Sequence, residues 1–80
     1  MRYDERRPTL YREIGERIML ARRRAGLSQR DLGARLGITH AAVSDIERAK
    51  SKPNLDNLAD IAEAIGVSLA DIVRLDREGE

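Results

Sequence analysis

Residues 29–48, QRDLGARLGITHAAVSDIER, decide the fold because they contain two short amphipathic segments on either side of a glycine. In the first segment, Leu32 and Leu36 have the spacing that places two side chains on one helix face. In the second segment, Val43 and Ile46 share a face in the same way. The stretch therefore predicts two short helices that pack together through one apolar seam.

The residues between the two segments suit a tight turn. Gly37 lies where the chain must reverse with positive φ, a conformation that glycine adopts at little cost. Gly33 lies where the second helix crosses the first, so its missing side chain lets the backbones approach, and Ile38 is expected to fill the corner between them. These features predict a helix-turn-helix. The outer face of its second helix consists of His40, Ala41, Ser44, Asp45 and Arg48.

Cap residues and apolar periodicity divide the whole chain into five predicted helices. Four of these helices are preceded by a favourable N-cap residue: Ser28, Thr39, Asn54 and Ser68. The first helix is expected to begin at residue 9 or 10 and to end before Gly26, and the others to cover residues 29–36, 40–48, 55–65 and 69–75. We expect residues 1–8 to form a flexible charged arm, residues 9–76 a compact all-α domain, and residues 77–80 a frayed tail.

The core is expected to be aliphatic. The chain is 41% hydrophobic, yet its aromatic residues are two Tyr, with no Phe or Trp, a composition that favours closely packed helices. The predicted inner stripes are Leu10, Ile14, Ile18, Ala21 and Ala25 in the first helix and Leu55, Leu58, Ile61, Ala62 and Ile65 in the fourth.

Composition also limits the class of protein. The absence of cysteine excludes disulfides and zinc–thiolate sites and fits a reducing cytoplasm. There is no apolar run of about 18 residues, and the chain starts with the charged sequence MRYDERRP. We therefore expect a cytoplasmic protein without a membrane span or signal peptide.

The net charge of +1 conceals an uneven distribution. Residues 1–53 contain thirteen Arg or Lys against seven Asp or Glu, a net +6, whereas residues 54–80 contain two against seven, a net −5. One interpretation is that the basic half, which contains the helix-turn-helix, binds a polyanion. The other is that the charges simply solvate a small helical protein.

An enzyme is not indicated. The chain has one His, no Cys and no Gly-rich phosphate loop, and its carboxylates lie on helix faces opposite the apolar stripes instead of converging. We predict a non-enzymatic protein with no metal site and no cofactor.

The joint pattern of glycines, caps and apolar positions resembles a known family. The stretch GLSQRDLGARLGITHAAVSDIERAKSKPNLDNLADIAEAIGVSLADI is similar to the Cro and phage-repressor type of helix-turn-helix domain, and the similarity extends over about residues 14–73. It implies a lambda-repressor-like fold of five helices, with the helix-turn-helix formed by the second and third. It also implies a homodimer that binds palindromic double-stranded DNA with the third helix in the major groove.

The resemblance assigns roles to individual residues. It implies an ion pair between Arg22 and Glu47 that braces the third helix. The positions that it assigns to base edges are His40, Ala41, Ser44 and Asp45. Those that it assigns to phosphates are Gln29, Thr39, Lys50 and Lys52.

The chemistry of the side chains supports these roles and leaves some open. The His40 ring can donate and accept at a base edge, and the Ala41 methyl group suits a thymine methyl. The Asp45 carboxylate either accepts from cytosine N4 or pairs with Arg48 or another cation. Arg23 and Arg24 either contact phosphates together with Arg48 or stabilise the dipole at the end of the first helix.

One departure from the family pattern concerns the end of the third helix. Ala49 occupies the position that is usually Gly, and alanine tolerates positive φ poorly. We therefore expect the third helix to end differently or to run slightly longer, which would move Lys50 and Lys52.

The C-terminal apolar residues raise the question of assembly. Val73, Leu75 and Leu69 are candidates for a dimer interface, with core packing as the alternative. The leading functional hypothesis is a transcriptional repressor or autoregulator; the alternative is an antitoxin or adaptor whose main partner is another protein. If the protein were an activator, Glu47, Asp45 or the fourth helix could supply an acidic patch for polymerase.

Overall fold

Five α-helices make up the part of the chain that the computed structural model describes, residues 3–73, with side chains for residues 10–73. The helices are α1 (Tyr3–Arg24), α2 (Gln29–Leu36), α3 (His40–Glu47), α4 (Leu55–Ile65) and α5 (Leu69–Val73). Helices α2 and α3 pack against each other, and α1 packs against α3, α4 and α5. The predicted all-α fold is confirmed, and residues 3–73 contain no strand.

The helices begin where their cap residues predict. Ser28 and Asp31 form a complete capping box at α2, with two hydrogen bonds of 2.9 Å between each backbone N–H and the other side chain. Ser68 and Asp71 form the same arrangement before α5, at 3.1 and 3.2 Å. Two further side chains accept a hydrogen bond from the backbone N–H three residues on: Thr39 before α3 and Asn54 before α4.

A single aliphatic core lies between the helices. Ile18, Leu32, Val43 and Ile72 are at most 1% exposed, so α1, α2, α3 and α5 each contribute one fully buried side chain. The other buried apolar residues are Ile14, Leu58, Ile61, Ala62 and Ile65. Four of the five predicted positions of the fourth helix are therefore confirmed as core, whereas in the first helix Ile14 and Ile18 are buried and Ala21 is partly buried against them.

Three predicted core positions are wrong. Leu55 is 63% exposed because it is the first residue of α4 and lies at the very end of the helix. Ile38 is 38% exposed, since the backbone of this turn and not its side chain lies against Gly33. Ala25 follows the last residue of α1 and is exposed in the turn.

The first helix is longer than the apolar pattern indicates. It begins at Tyr3, whereas the predicted start was residue 9 or 10, so the backbone of residues 3–8 belongs to α1. Pro8 removes one backbone hydrogen bond donor without ending the helix, and the charged residues around it are compatible with helical structure. The predicted tail at residues 77–80 and the last two residues of the predicted fifth helix lie outside the described residues.

Glycines permit close approach at two places. A Cβ atom on Gly33 would lie 2.6 Å from the Ile38 carbonyl oxygen, which confirms the predicted contact within the helix-turn-helix. A Cβ atom on Gly15 would lie 2.5 Å from the carbonyl oxygen of Glu47 and 2.8 Å from that of Ile46. The backbone of α1 therefore rests directly on the C-terminal end of α3, a contact that the sequence analysis did not predict.

Ala49 adopts the left-handed conformation despite its side chain, with φ 61°. The Lys50 N–H donates to the Asp45 carbonyl at 2.7 Å and the Ala49 N–H donates to the Ile46 carbonyl at 3.1 Å, which is the Schellman arrangement. The expectation of an altered or longer helix is therefore wrong: α3 ends at Glu47 in the way that a glycine would allow. These hydrogen bonds stabilise the turn, and the alanine side chain is strained at positive φ.

Replacing this alanine is expected to stabilise the protein. We expect Ala49→Gly to raise the free energy of unfolding by about 1 kcal/mol, because glycine adopts positive φ without a clash. The measurement is urea denaturation, with Ala34→Gly in the exposed part of α2 as a matched control that should lose about 1 kcal/mol. A loss of stability in both variants would contradict the assigned strain.

Candidate nucleic-acid interface

The outer face of α3 is available for contact, as predicted. His40, Ala41, Asp45 and Arg48 are exposed, and Ser44 is half-buried. On the opposite side of the same helix, Val43 is 1% exposed in the core. One short helix thus presents a polar outer face while its inner face is fixed by packing.

A buried ion pair supports α3 from behind. Arg22 and Glu47 are each 7% exposed, and the Glu47 carboxylate accepts hydrogen bonds from Arg22 Nε at 2.6 Å and Nη2 at 3.1 Å. Arg22 Nη1 donates to the Leu27 carbonyl at 2.8 Å. The ion pair that the resemblance implied is therefore present. Its burial removes Glu47 from the candidates for an acidic surface patch.

Gln29 belongs to the same network. Its Nε2 donates to Glu47 Oε1 at 3.1 Å, and the side chain is half-buried. We call Arg22, Glu47 and Gln29 the bracing network, since together they join α1, α2 and α3. Gln29 was predicted as a phosphate contact, and the structure shows that part of its amide is already used within the protein.

The other residues predicted to contact phosphates are found before and after α3. Arg48, Lys50 and Lys52 are exposed in and around the loop that follows α3. The Thr39 hydroxyl caps α3 by accepting from the Ala42 N–H at 3.1 Å. These residues lie at the two ends of α3.

The two remaining candidates, Arg23 and Arg24, lie at the end of α1. Arg23 and Arg24 are exposed, and Arg24 lines a hollow with Val67 and Asp71 beside the turn between α4 and α5. The neighbouring residue Arg22 lies on another face of α1 and contacts Glu47 of α3. The structure therefore does not bring Arg24 to the outer face of α3.

A residue that the sequence analysis missed supports the loop after α3. The Tyr11 hydroxyl of α1 lies 3.5 Å from the Pro53 carbonyl oxygen, and the Lys52 ammonium lies 6.0 Å from the centre of the Tyr11 ring. Pro53 is buried. The sequence offers one indication that Tyr11 has a structural role, since it is one of two aromatic residues in the chain.

The predicted dimer residues are divided between described and undescribed parts of the chain. Leu69 and Val73 are half-buried and pack against the core cluster. Ile72 is fully buried, and Leu75 lies outside the described residues.

Within residues 3–73, no helix is long and apolar enough to cross a membrane.

The capping box of α2 carries a charge that affects stability. The pKa of Asp31 is lowered from its ordinary value of 3.8, first by the Ser28 backbone N–H, then by the Ser28 side chain, with a further contribution from Arg35. Because the folded pKa lies below the unfolded one, the ionised carboxylate stabilises the folded state above pH 3.8, and this contribution is lost as the pH falls through the lowered folded value.

We expect this linkage to be visible in Asp31→Asn. The variant should be less stable than the wild type at neutral pH, and the difference should shrink once the pH falls below the ordinary value of 3.8. Thermal unfolding of both proteins at pH 7 and pH 3 provides the measurement. An equal difference at both pH values would show that the charge of Asp31 does not contribute.

Comparisons with known proteins agree with this geometry. A family model described as Helix-turn-helix matches residues 18–72, so the chain belongs to the helix-turn-helix family. Among its relatives are two proteins of Sinorhizobium fredii described as uncharacterized HTH-type transcriptional regulators. The protein y4dL is 38% identical over 70% of this chain but only 29% of its own length, and y4dJ is 33% identical over 75% of this chain and 78% of its own.

A solved structure confirms the fold and the predicted resemblance to phage repressors. The P22 c2 repressor, crystallised in complex with a synthetic operator, is 32% identical, and the match covers 79% of this chain and 96% of that chain with a TM-score of 0.69.

Proposed function

We propose that this chain is a sequence-specific DNA-binding transcriptional regulator, a repressor or autoregulator, that places α3 in the major groove of operator DNA. The observation that carries the proposal is the exposed polar outer face of α3 backed by the buried bracing network. A helix that reads bases must be held rigidly, and two side chains from two other helices, Arg22 of α1 and Gln29 of α2, hold α3 through its residue Glu47. The relatives described as transcriptional regulators and the repressor–operator complex support the same function.

Two sets of side chains divide the work of recognition. Sequence choice comes from His40, Ala41, Ser44 and Asp45 at base edges, where hydroxyl, imidazole and carboxylate groups pair with different donors and acceptors and the alanine methyl meets thymine. Affinity comes from sequence-independent contacts to phosphates. The residues assigned to phosphates are Gln29, Thr39, Arg48, Lys50 and Lys52, with Arg23 and Arg24 at the end of α1 as further candidates.

We propose that the regulator acts as a homodimer in the cytoplasm and has no catalytic activity. A single α3 covers only part of an operator, and a two-fold partner would place a second α3 about 34 Å away, one helical turn along the DNA. The surface assigned to the dimer contains Leu69, Val73 and Leu75. Sedimentation that shows only monomers at tens of micromolar, with and without DNA, would contradict this assembly.

Selection from a pool of random DNA duplexes, followed by a salt titration of the winning sequence, tests the proposal. We expect a palindrome with half-sites about one helical turn apart and a log–log salt slope of about −0.9 for each phosphate contacted. Recovery of no sequence above background would contradict DNA binding.

Variants then separate the two sets of contacts. Ser44→Ala should change which sequences are preferred, whereas Lys50→Ala should weaken binding to all sequences alike and make the salt slope shallower by about 1.8, since each protomer of the dimer loses one phosphate contact. Gln29→Ala should also weaken binding to all sequences, but it removes the contact with Glu47 as well, so Lys50 is the cleaner control. An unchanged preference in Ser44→Ala would overturn the assignment of the outer face.

A protein-binding role, as an antitoxin or adaptor, is the second candidate. Exposed apolar side chains favour it, because Leu55 is 63% exposed and Leu20 is 45% exposed. If DNA selection recovers nothing, these two positions are the surface to mutate while searching for a protein partner.

A further inference from the structure

The two lysines of the loop after α3 are supported by different helices. The start of the loop is held by α3, since the backbone N–H groups of Lys50 and Ser51 donate to the Asp45 carbonyl at 2.7 and 3.2 Å. The end of the loop is held by α1, through the contact between the Tyr11 hydroxyl and the Pro53 carbonyl at 3.5 Å. Lys50 and Lys52 are thus two similar cations with separate supports.

The Tyr11 ring also restrains the Lys52 side chain. The Lys52 ammonium lies over the face of the ring, 6.0 Å from its centre, where the negative face of the ring attracts a cation. A free lysine side chain samples many rotamers, and ordering it against a phosphate costs conformational entropy. The ring removes part of that cost in advance. It occupies one side of the ammonium group and leaves other N–H donors for phosphate oxygens.

We infer that Tyr11 is a positioning residue that sets the Lys52 ammonium for contact with a DNA phosphate, without touching DNA itself. The inference rests on the proposed function and extends it to a residue of α1 that lies outside the helix-turn-helix. It also separates the two lysines: the contribution of Lys52 depends on Tyr11, and that of Lys50 does not.

A double-mutant cycle on the selected operator tests this dependence. Tyr11→Leu is measured in three backgrounds: wild type, Lys52→Ala and the matched control Lys50→Ala. We expect Tyr11→Leu to weaken binding about two- to fivefold for each protomer, and so about four- to twenty-fivefold for the dimer, in the wild type and in Lys50→Ala, because the Lys52 side chain must then be ordered on binding; it should have little effect in Lys52→Ala. Each lysine variant alone should make the log–log salt slope shallower by about 1.8, one phosphate contact in each protomer of the dimer.

Two further measurements separate positioning from general damage to the fold. Tyr11→Phe keeps the ring and loses the hydroxyl contact with Pro53, so it should retain most of the wild-type affinity. In the free protein, the Tyr11 ring should shift the NMR signals of the Lys52 side-chain protons upfield, and this shift should disappear in Tyr11→Leu.

The outcomes are distinct. Equal weakening by Tyr11→Leu in the Lys52→Ala and Lys50→Ala backgrounds would overturn the positioning role and leave the proposed function intact. Absence of DNA binding by the wild-type protein would overturn the proposed function, and the positioning role with it.

Discussion

Replacing Glu47 with alanine is expected to lower the free energy of unfolding by about 3–5 kcal/mol. The substitution leaves the Arg22 guanidinium buried without its counter-ion, and an uncompensated buried charge has a cost of this size. A domain of this length has a total stability of roughly 4–12 kcal/mol, so the loss is a large fraction of the total, and only in the lowest part of that range would much of the protein be unfolded. Urea denaturation followed by circular dichroism measures the effect.

Two controls identify the charge as the cause. Glu63→Ala removes an exposed glutamate of α4 and should change stability by no more than about 0.5 kcal/mol. The pair Arg22→Met with Glu47→Leu removes both charges and should be far less destabilised than Glu47→Ala alone. If Glu47→Ala lost as little as Glu63→Ala, the ion pair would not be a structural support.

Replacing Gly15 with alanine is expected to cost about 3 kcal/mol, the upper part of the range for overpacked positions. The added Cβ would lie 2.5 Å from the Glu47 carbonyl oxygen and 2.8 Å from that of Ile46, and backbone atoms cannot rotate away as a side chain would. Helix α1 must therefore shift away from α3. Denaturation measures the loss, and binding to the selected operator should weaken in parallel.

The expected change in the free energy of unfolding has the opposite sign to the usual one for this substitution. A glycine inside a helix is normally improved by alanine, by about 1 kcal/mol. Glu16→Ala, at the adjacent exposed position of α1, is the control for a substitution to alanine in the same helix, and it should change stability little. A gain in stability in Gly15→Ala would mean that the two backbones are not in contact.

The helix boundaries were predictable from sequence wherever they depend on neighbouring residues. Ser28 and Asp31 cap α2 by contacts three residues apart, and Gly37 ends it with φ 74°, as local chemistry requires. The exposure of Leu55 and Ile38 depends on where each element ends relative to the others, which periodicity alone does not specify. The conformation of Ala49 was predicted wrongly because the hydrogen bonds that close the end of α3 outweigh the local preference of alanine.

The site was predicted in part for the same reason. The outer face of α3 follows from helical periodicity, and the contact between Arg22 and Glu47 was implied by the family resemblance. The third member of the bracing network was not predicted, since Gln29 is 18 residues from Glu47 in the chain. Tyr11 and Pro53 are 42 residues apart, and no local pattern links them. Gly15 left only a weak signal, an isolated glycine within an otherwise helical pattern.

The support of α3 and its outer face share no residue. Arg22, Gln29 and Glu47 hold the helix from within, and the carbonyl groups of its last turn lie on the bare backbone of Gly15. We therefore expect substitutions on the outer face to leave the position of the helix unchanged. The outer face can then change in sequence independently of the contacts that support the helix, so new specificities can arise by substitution on one surface alone.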